Sequence, residues 1–218
     1  MDAVSATGDS EFLSADEIAR AERFLMEQDR ARFISCRAAL RRVLAGLLGS
    51  HPAVVEFEYS PFGKPALAGQ HRAEVHFNVS HSQDLAVIAA SRRHAVGIDV
   101  EQLRPDFASE DIARRFFSPS EREALAQLPA EVRVDAFFRC WTRKEAFVKA
   151  IGEGLSFPLD AFEVTLGPNQ PPRLLRVGAD PAAASTWSLH DLPVPSGFVA
   201  ALAIAGRVDR IVSRTDFI

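Results

Sequence analysis

Several stretches of the chain carry apolar residues at helical spacing, and capping or breaking residues bound each of them. Ser14 followed by Glu17 is a capping-box pattern that opens the first helix. Gly49 ends the second, and Gly152 ends the last. The predicted helices cover residues 14–26, 29–48, 109–117, 118–128 and 132–151.

Other stretches alternate between apolar and polar residues or form short apolar runs, which indicates strands. Residues 92–94 are typical of a hairpin turn between two of them. Helices followed by strands occur twice along the chain, which predicts an α+β fold. The predicted strands cover residues 54–59, 74–80, 85–91, 96–101, 162–166, 174–177, 186–190 and 197–205.

Two acidic residues lie on one predicted strand. Because side chains alternate along a strand, Asp99 and Glu101 share a face with Gly97. A third carboxylate, Glu145, falls on the apolar stripe of the helix over 132–151, and Lys149 follows it by one turn. Three carboxylates with Lys149, or with Lys149 and Lys144, can hold Mg²⁺ against a phosphate, since Mg²⁺ takes oxygen ligands.

Each of these patterns also has an ordinary structural interpretation. An Asp-x-Glu on a strand is most often a solvated face, and Glu145 with Lys149 is typical of a surface ion pair. The context favours a site, because the other face of the strand is apolar and Glu145 lies among aromatic residues.

Basic and polar groups elsewhere are open to two interpretations. The predicted helix over 29–48 carries five arginines, which form either a solvated face or a phosphate clamp. Lys64 stands in a turn between Gly63 and Pro65, where the ordinary interpretation is a surface lysine on a tight turn. Ser80 and His81 close a strand, either as a polar terminus or as groups that face a phosphate.

Composition narrows the class of protein. The 218 residues are 47% hydrophobic and 25% charged, as in ordinary globular proteins. A net charge of -4 argues against a general nucleic-acid binder, and no apolar run is long enough to span a membrane.

The first ten residues lack a basic segment, so we expect no signal peptide and a cytoplasmic protein. Cys36 and Cys140 are isolated and are expected to be buried thiols.

Three segments resemble the signature motifs of the Sfp-type 4′-phosphopantetheinyl transferases in order, spacing and composition. They are Phe77-Asn78-Val79-Ser80-His81-Ser82, Val96-Gly97-Ile98-Asp99-Val100-Glu101 and Trp141-Thr142-Arg143-Lys144-Glu145-Ala146-Phe147-Val148-Lys149. The resemblance runs from about residue 15 to about residue 205. Many relatives begin with a strand that contains a Trp and an Asp, and here that segment is missing or replaced by a short polar stretch.

The resemblance implies transfer of the 4′-phosphopantetheine arm of coenzyme A to a serine of an apo acyl or peptidyl carrier protein, with Mg²⁺ and release of 3′,5′-ADP. It implies a monomer of two similar α+β subdomains, related by a pseudo-twofold with the active-site cleft between them. Their predicted bounds are 14–97 and 98–218, after a flexible segment over 1–13.

The resemblance also assigns roles to residues. Asp99, Glu101 and Glu145 are the expected metal ligands, and Glu145 and Lys149 the expected catalytic groups. The expected base is Glu145 or a metal-bound water near it. The residues expected to bind coenzyme A are Arg32, Arg37, Lys64, Ser80, His81, Asp99 and Lys149. Glu121 matches a family carboxylate whose role stays open.

Two other functions share parts of this pattern. A Mg²⁺-dependent phosphohydrolase acting on a nucleotide would use the same carboxylates but would need no carrier protein. A module that only binds coenzyme A or a carrier protein would need no metal triad, so the carboxylates argue against it.

Overall fold

The computed structural model describes residues 8–154, 157–178 and 182–215. Two compact units divide the chain: the first comprises residues 1–58, 66–75 and 211–218, and the second residues 59–65 and 76–210. Helices and strands both occur, which confirms the predicted α+β class. The pseudo-twofold, the cleft and the boundary at residue 97 stay predictions.

The first unit is built on two helices, α1 (Ala15–Ala21) and α2 (Glu27–Leu48). The capping box of Ser14 and Glu17 is present, as predicted. Helix α1 is shorter than predicted, because the chain turns after Ala21 and places Phe24 against Phe33 of α2, with ring centroids 5.5 Å apart. Residues 1–7 of the segment expected to be flexible lie outside the described residues.

The predicted strand over 54–59 is wrong in its first part. Pro52–Val54 form a 3₁₀ helix, which the fixed φ of Pro52 favours and which the His51 side chain caps by accepting from the backbone of Ala53. Within the predicted range the paired strand is β1 (Phe57–Tyr59), which pairs with β2 (Pro65–Leu67). Other short 3₁₀ helices cover Ser10–Phe12, Gly69–His71, Leu159–Ala161 and Ala183–Thr186.

The second unit contains the remaining strands and helices. In chain order they are β3 (His76–Ser82), β4 (Leu85–Ser91), β5 (Val96–Gln102), α3 (Glu110–Phe116), α4 (Pro119–Ala126), α5 (Ala130–Ile151), β6 (Phe162–Val164), β7 (Leu174–Val177), β8 (Trp187–Asp191) and β9 (Phe198–Ala205). Strands β3 and β4 form an antiparallel pair, as do β6 and β7. A third sheet has the order β5-β9-β8 and is antiparallel throughout.

Helix α5 packs on β5 and β9, and their apolar residues form the core of this unit. Phe137, Phe138 and Val148 of α5 are buried, as the apolar stripe predicts. Val96 and Ile98 of β5 pack on the opposite side of the sheet, in a separate apolar cluster with Ala89 of β4. The alternate residues of β5 therefore face α5.

Gly97 allows β5 and α5 to approach closely. A Cβ atom at this position would lie 2.1 Å from the carbonyl oxygen of Ala146 and 2.3 Å from the backbone nitrogen of Ala150. Only glycine fits there, because backbone atoms cannot move aside as a side chain can. This contact brings the face of β5 that carries Asp99 and Glu101 against the last turns of α5.

No helix in the described ranges combines the length and apolar character that crossing a bilayer requires. Cys36 is partly buried and Cys140 buried, and both are free thiols, as expected.

Candidate active site

A cavity of about 350 Å³ lies in the second unit, where β3, β5 and α5 meet. It brings together six of the residues that the sequence singles out, from all three of its motifs. Its lining residues are Val79, Ser80, His81, Asp99, Glu101, Trp141, Glu145 and Lys149. The predicted common face of Asp99 and Glu101 is confirmed, as is the inward position of Glu145.

Lys149 is held at the edge of this cavity by two acceptors. Its ammonium nitrogen lies 2.6 Å from Oδ1 of Asp99 and 3.0 Å from the hydroxyl oxygen of Ser80. The Ser80 hydroxyl also donates to Oδ1 of Asp99, at 2.9 Å. The Lys149 side chain is 29% exposed while that of Asp99 is 4% exposed, so a ligand can reach the ammonium from the cavity.

The three carboxylates repel one another in a partly dry environment. Burial raises the pKa of Asp99, although the charge and hydrogen bond of Lys149 oppose the rise. Burial, followed by the charge of Asp99, also raises the pKa of Glu101. The same two causes, in the same order, raise the pKa of Glu145 to about 6. The cavity therefore carries excess negative charge that a bound cation would relieve.

The family resemblance implies a bound metal ion, and two carboxylate oxygens of the cavity are suited to bind one. Oδ2 of Asp99 and Oε1 of Glu145 are buried and have no hydrogen-bond partner among the described residues. Buried acceptors of this kind are normally satisfied, and hard oxygen atoms are the ligands that Mg²⁺ takes. Among the described residues, however, no group of three or more His, Cys, Asp or Glu side chains is arranged as a metal site. The ligand set of Asp99, Glu101 and Glu145 stays a prediction.

Lys144 does not reach the cavity, so of the two alternatives only the one with Lys149 alone beside the phosphate remains. Its side chain is fully buried, and its ammonium donates to the carbonyl oxygens of Leu159 and Phe162, each at 2.7 Å. It also forms an ion pair of 2.8 Å with buried Glu121. Lys144 is the neighbour of Glu145 in sequence, but successive helical residues point about 100° apart.

Glu121, whose role the sequence leaves open, is part of this buried structure. Its carboxylate accepts from the backbone nitrogens of Ser118 and Val164, at 2.8 Å each. Together with Lys144 it ties α4, α5 and β6 to one another. Two charges in a protein core are normally accommodated as a pair. Glu121 pairs with Lys144 in this way, and it therefore does not line the cavity.

Lys64 belongs to the second unit and lies at the end of α5. Its ammonium donates to the carbonyl oxygens of Lys149 and Ala150, the latter at 3.2 Å. The last carbonyl groups of a helix have no partner within the helix, and a lysine is a favourable cap for them. Burial lowers the pKa of Lys64. Its predicted contact with coenzyme A stays a prediction.

Arg32 and Arg37 belong to the first unit. Arg32 forms an ion pair of 3.3 Å with Asp29. Arg37 is buried beside Glu17, to which its Nε lies 3.3 Å away, and Glu17 also accepts from Arg41 at 2.7 Å. Part of the basic face of α2 is thus internal, which neither the solvated-face nor the phosphate-clamp interpretation anticipates. The phosphate-binding role of Arg32 and Arg37 stays a prediction.

Two family models match this chain. Residues 95–203 match the model of the 4′-phosphopantetheinyl transferase superfamily, and residues 7–93 match the model described as 4′-phosphopantetheinyl transferase, N-terminal. The first match contains β5 and α5, and the second contains β3. The described cavity is therefore lined by residues from both matched regions.

Curated relatives agree with these matches. The chain is 44% identical over 196 residues to the 4′-phosphopantetheinyl transferase HetI of Nostoc sp., which covers 89% of this chain and 79% of HetI. A putative 4′-phosphopantetheinyl transferase of Synechocystis sp. is 41% identical over 66% of this chain and 58% of its own length. The transferase Sfp of Bacillus subtilis is 34% identical over 71% of this chain and 67% of Sfp.

Solved structures add little to this comparison. A holo-[acyl-carrier-protein] synthase of Thermotoga maritima is 28% identical and covers 52% of this chain and 64% of its own, with a low TM-score of 0.39. The sequence matches are sufficient without it: the chain belongs to the Sfp-type 4′-phosphopantetheinyl transferase family.

Proposed function

We propose that this chain transfers the 4′-phosphopantetheine arm of coenzyme A to a serine hydroxyl of an apo acyl or peptidyl carrier protein, with Mg²⁺ bound and 3′,5′-ADP released. The observation that carries the proposal is a single cavity lined by Asp99, Glu101, Glu145 and Lys149. Family membership supports the same reaction, because the matched relatives are named for it.

The reaction is a substitution at the β-phosphorus of coenzyme A. The serine oxygen forms a bond to that phosphorus, and the bond from the phosphorus to the oxygen that bridges the two phosphates breaks. The electron pair of the broken bond leaves with 3′,5′-ADP. The site must therefore neutralise the pyrophosphate, accept the serine proton and stabilise the leaving phosphate.

Lys149 is suited to the first and third tasks. Its ammonium is already oriented into the cavity by Asp99 and Ser80 and remains partly exposed. Phosphate oxygens that displace water at this ammonium would gain a charge-assisted hydrogen bond. Asp99, Glu101 and Glu145 would hold Mg²⁺, which when bound supplies further positive charge to the pyrophosphate.

Glu145 is suited to accept the serine proton. In the chain without a bound metal ion its pKa is about 6, so the carboxylate is ionised at neutral pH and more basic than that of an ordinary glutamate. Its side chain lines the cavity and lies one helical turn from Lys149. Base and cation are thus carried by the same helix face, which fixes their separation.

Other groups would bind the remainder of coenzyme A. Ser80 and His81 line the cavity, and His81 is exposed at the end of β3. Lys64, Arg32 and Arg37 are proposed to meet the nucleotide end. The Lys64 ammonium has three N–H donors and gives two of them to carbonyl oxygens, so the third can donate to a phosphate.

Intact-mass spectrometry tests this proposal. A panel of apo carrier proteins is incubated with the full chain, coenzyme A and Mg²⁺, and a parallel series contains EDTA. We expect one carrier to gain the mass of a single phosphopantetheine group, and EDTA to abolish the gain. Consumption of coenzyme A without any carrier gaining mass would instead favour the phosphohydrolase. Binding of coenzyme A without turnover would favour a binding module.

A further inference from the structure

Three backbone N–H groups on the outer edge of β5 donate to side chains rather than to another strand. Strand β5 pairs with β9 along one edge, while β3 belongs to a different sheet. Alternate backbone N–H groups of β5 nevertheless donate to alternate side chains of β3. The three bonds run from Ile98 to Oδ1 of Asn78 at 2.8 Å, from Val100 to Oγ of Ser80 at 3.4 Å and from Gln102 to Oγ of Ser82 at 3.1 Å.

Two of these β3 side chains also hold the carboxylates of the cavity. The Ser80 hydroxyl donates to Asp99 at 2.9 Å, and the Ser82 hydroxyl donates to Glu101 at 3.2 Å. In both cases the serine accepts from the backbone of the residue that follows the carboxylate. A hydroxyl can do both, since it has one proton to donate and two lone pairs to accept.

The repeat has a simple origin in strand geometry. Side chains two residues apart on β3 point to the same side, and N–H groups two residues apart on β5 point to the same edge. Once Asn78 and Ser80 fix the register, Ser82 must meet Glu101. Each serine hydroxyl therefore fixes the orientation of one carboxylate side chain relative to the backbone of β5, the strand that carries this carboxylate.

We propose that Ser82 is a positioning residue that orients Glu101 toward a cation shared with Asp99, as Ser80 orients Asp99. The inference rests on the proposed function, because it assigns Ser82 to the metal ligands of that reaction. Groups that hydrogen-bond to metal ligands typically change metal affinity or activity 10- to 100-fold when they are removed.

Ser82 can be tested separately from the groups expected to meet coenzyme A. Lys149 donates to Ser80 but, within the described residues, not to Ser82. Substituting Ser80 would therefore disturb the proposed phosphate-binding lysine as well as Asp99. Substituting Ser82 disturbs Glu101 and one backbone N–H group.

The experiment compares Ser82→Thr with Ser82→Val, which have nearly the same shape and both favour strands. Binding of Mn²⁺ to the full chain in the presence of coenzyme A is measured by electron paramagnetic resonance. We expect the Val variant to bind Mn²⁺ about tenfold more weakly, and the Thr variant to bind like the unsubstituted chain. Ser91→Val is the control, because the Ser91 hydroxyl accepts only from the turn residues Arg93 and His94 among its described bonds.

The possible outcomes separate this inference from the proposed function. Equal Mn²⁺ affinity of the Thr and Val variants would overturn the role of Ser82 and leave the proposed function standing. Failure of the unsubstituted chain to bind Mn²⁺ would overturn the metal site, and this inference with it. Thermal unfolding of each variant establishes that it folds, and if the Val variant does not, Ser82→Ala is compared with the Thr variant instead.

Discussion

Ionisation of Glu145 and of its acidic neighbours Asp99 and Glu101 costs more free energy in the folded chain than in water. Burial raises the pKa of all three carboxylates, and the charge of Asp99 raises those of Glu101 and Glu145 further, while Lys149 offsets only part of the rise. For Glu145 the folded pKa of about 6 lies above the ordinary value of 4.5. Its protonated form therefore stabilises the fold below pH 4.5, and that contribution is lost as the pH rises through about 6.

The substitution Glu145→Gln tests this account of the charge. In the metal-free chain we expect the variant to be more stable than the unsubstituted protein at pH 7.5, by on the order of 1 kcal/mol after allowance for partial exposure. At pH 4 the difference should nearly vanish. Denaturant unfolding at both pH values, with EDTA present, measures it. A variant that is less stable at pH 7.5 would contradict the account.

For single residues, the sequence correctly predicts those side-chain directions that the period of a strand or helix determines. The alternation of β5 places Asp99 and Glu101 on one face, and the helical stripe of α5 turns Glu145 inward. It fails for Lys144, because spacing does not reveal a buried acceptor such as Glu121 on another helix. It also misses Ser82, whose role depends on the register between two strands far apart in sequence.

At the scale of elements, the site depends on the contact between β5 and α5. Gly97 sets their separation, and Asp99 lies two residues along the same face, where it meets Lys149. Lys64 at the end of α5 and the pair of Lys144 and Glu121 hold the helix from other directions. The geometry of the cavity is therefore a consequence of how one helix is seated on one strand.

The substitution Gly97→Ala should disrupt this seating. Its Cβ would lie 2.1 Å from the Ala146 carbonyl oxygen, so strand and helix must separate. We expect a loss of stability of about 3 kcal/mol or more and a loss of transfer activity, because overpacking against backbone is poorly relieved. Gly46→Ala in α2 is the matched control: its Cβ meets nothing within 4 Å, and a small gain in stability is expected. Thermal unfolding compares the two, and a Gly97→Ala chain of unchanged stability would contradict this account.

At the scale of the whole molecule, local patterns predict the α+β class and most elements. The exceptions are local as well. Pro52 starts a 3₁₀ helix where alternation suggests a strand, and α1 ends early because Phe24 packs on Phe33. Sequence patterns do not determine how the residues of α2 divide between core and surface, since the burial of Arg37 and Arg41 depends on Glu17 of another helix.

The central claim is that the acidic cavity is where phosphopantetheine transfer takes place. Its most direct test is the initial rate at which an accepted carrier protein gains phosphopantetheine mass, measured for the unsubstituted chain, Glu145→Gln and Glu163→Gln. Glu163 lies outside the cavity, in an ion pair with Arg176, and serves as the control. We predict that Glu145→Gln lowers the rate at least 100-fold, as removal of a general base does, while Glu163→Gln transfers at the unsubstituted rate. Transfer by Glu145→Gln at the unsubstituted rate would contradict the claim.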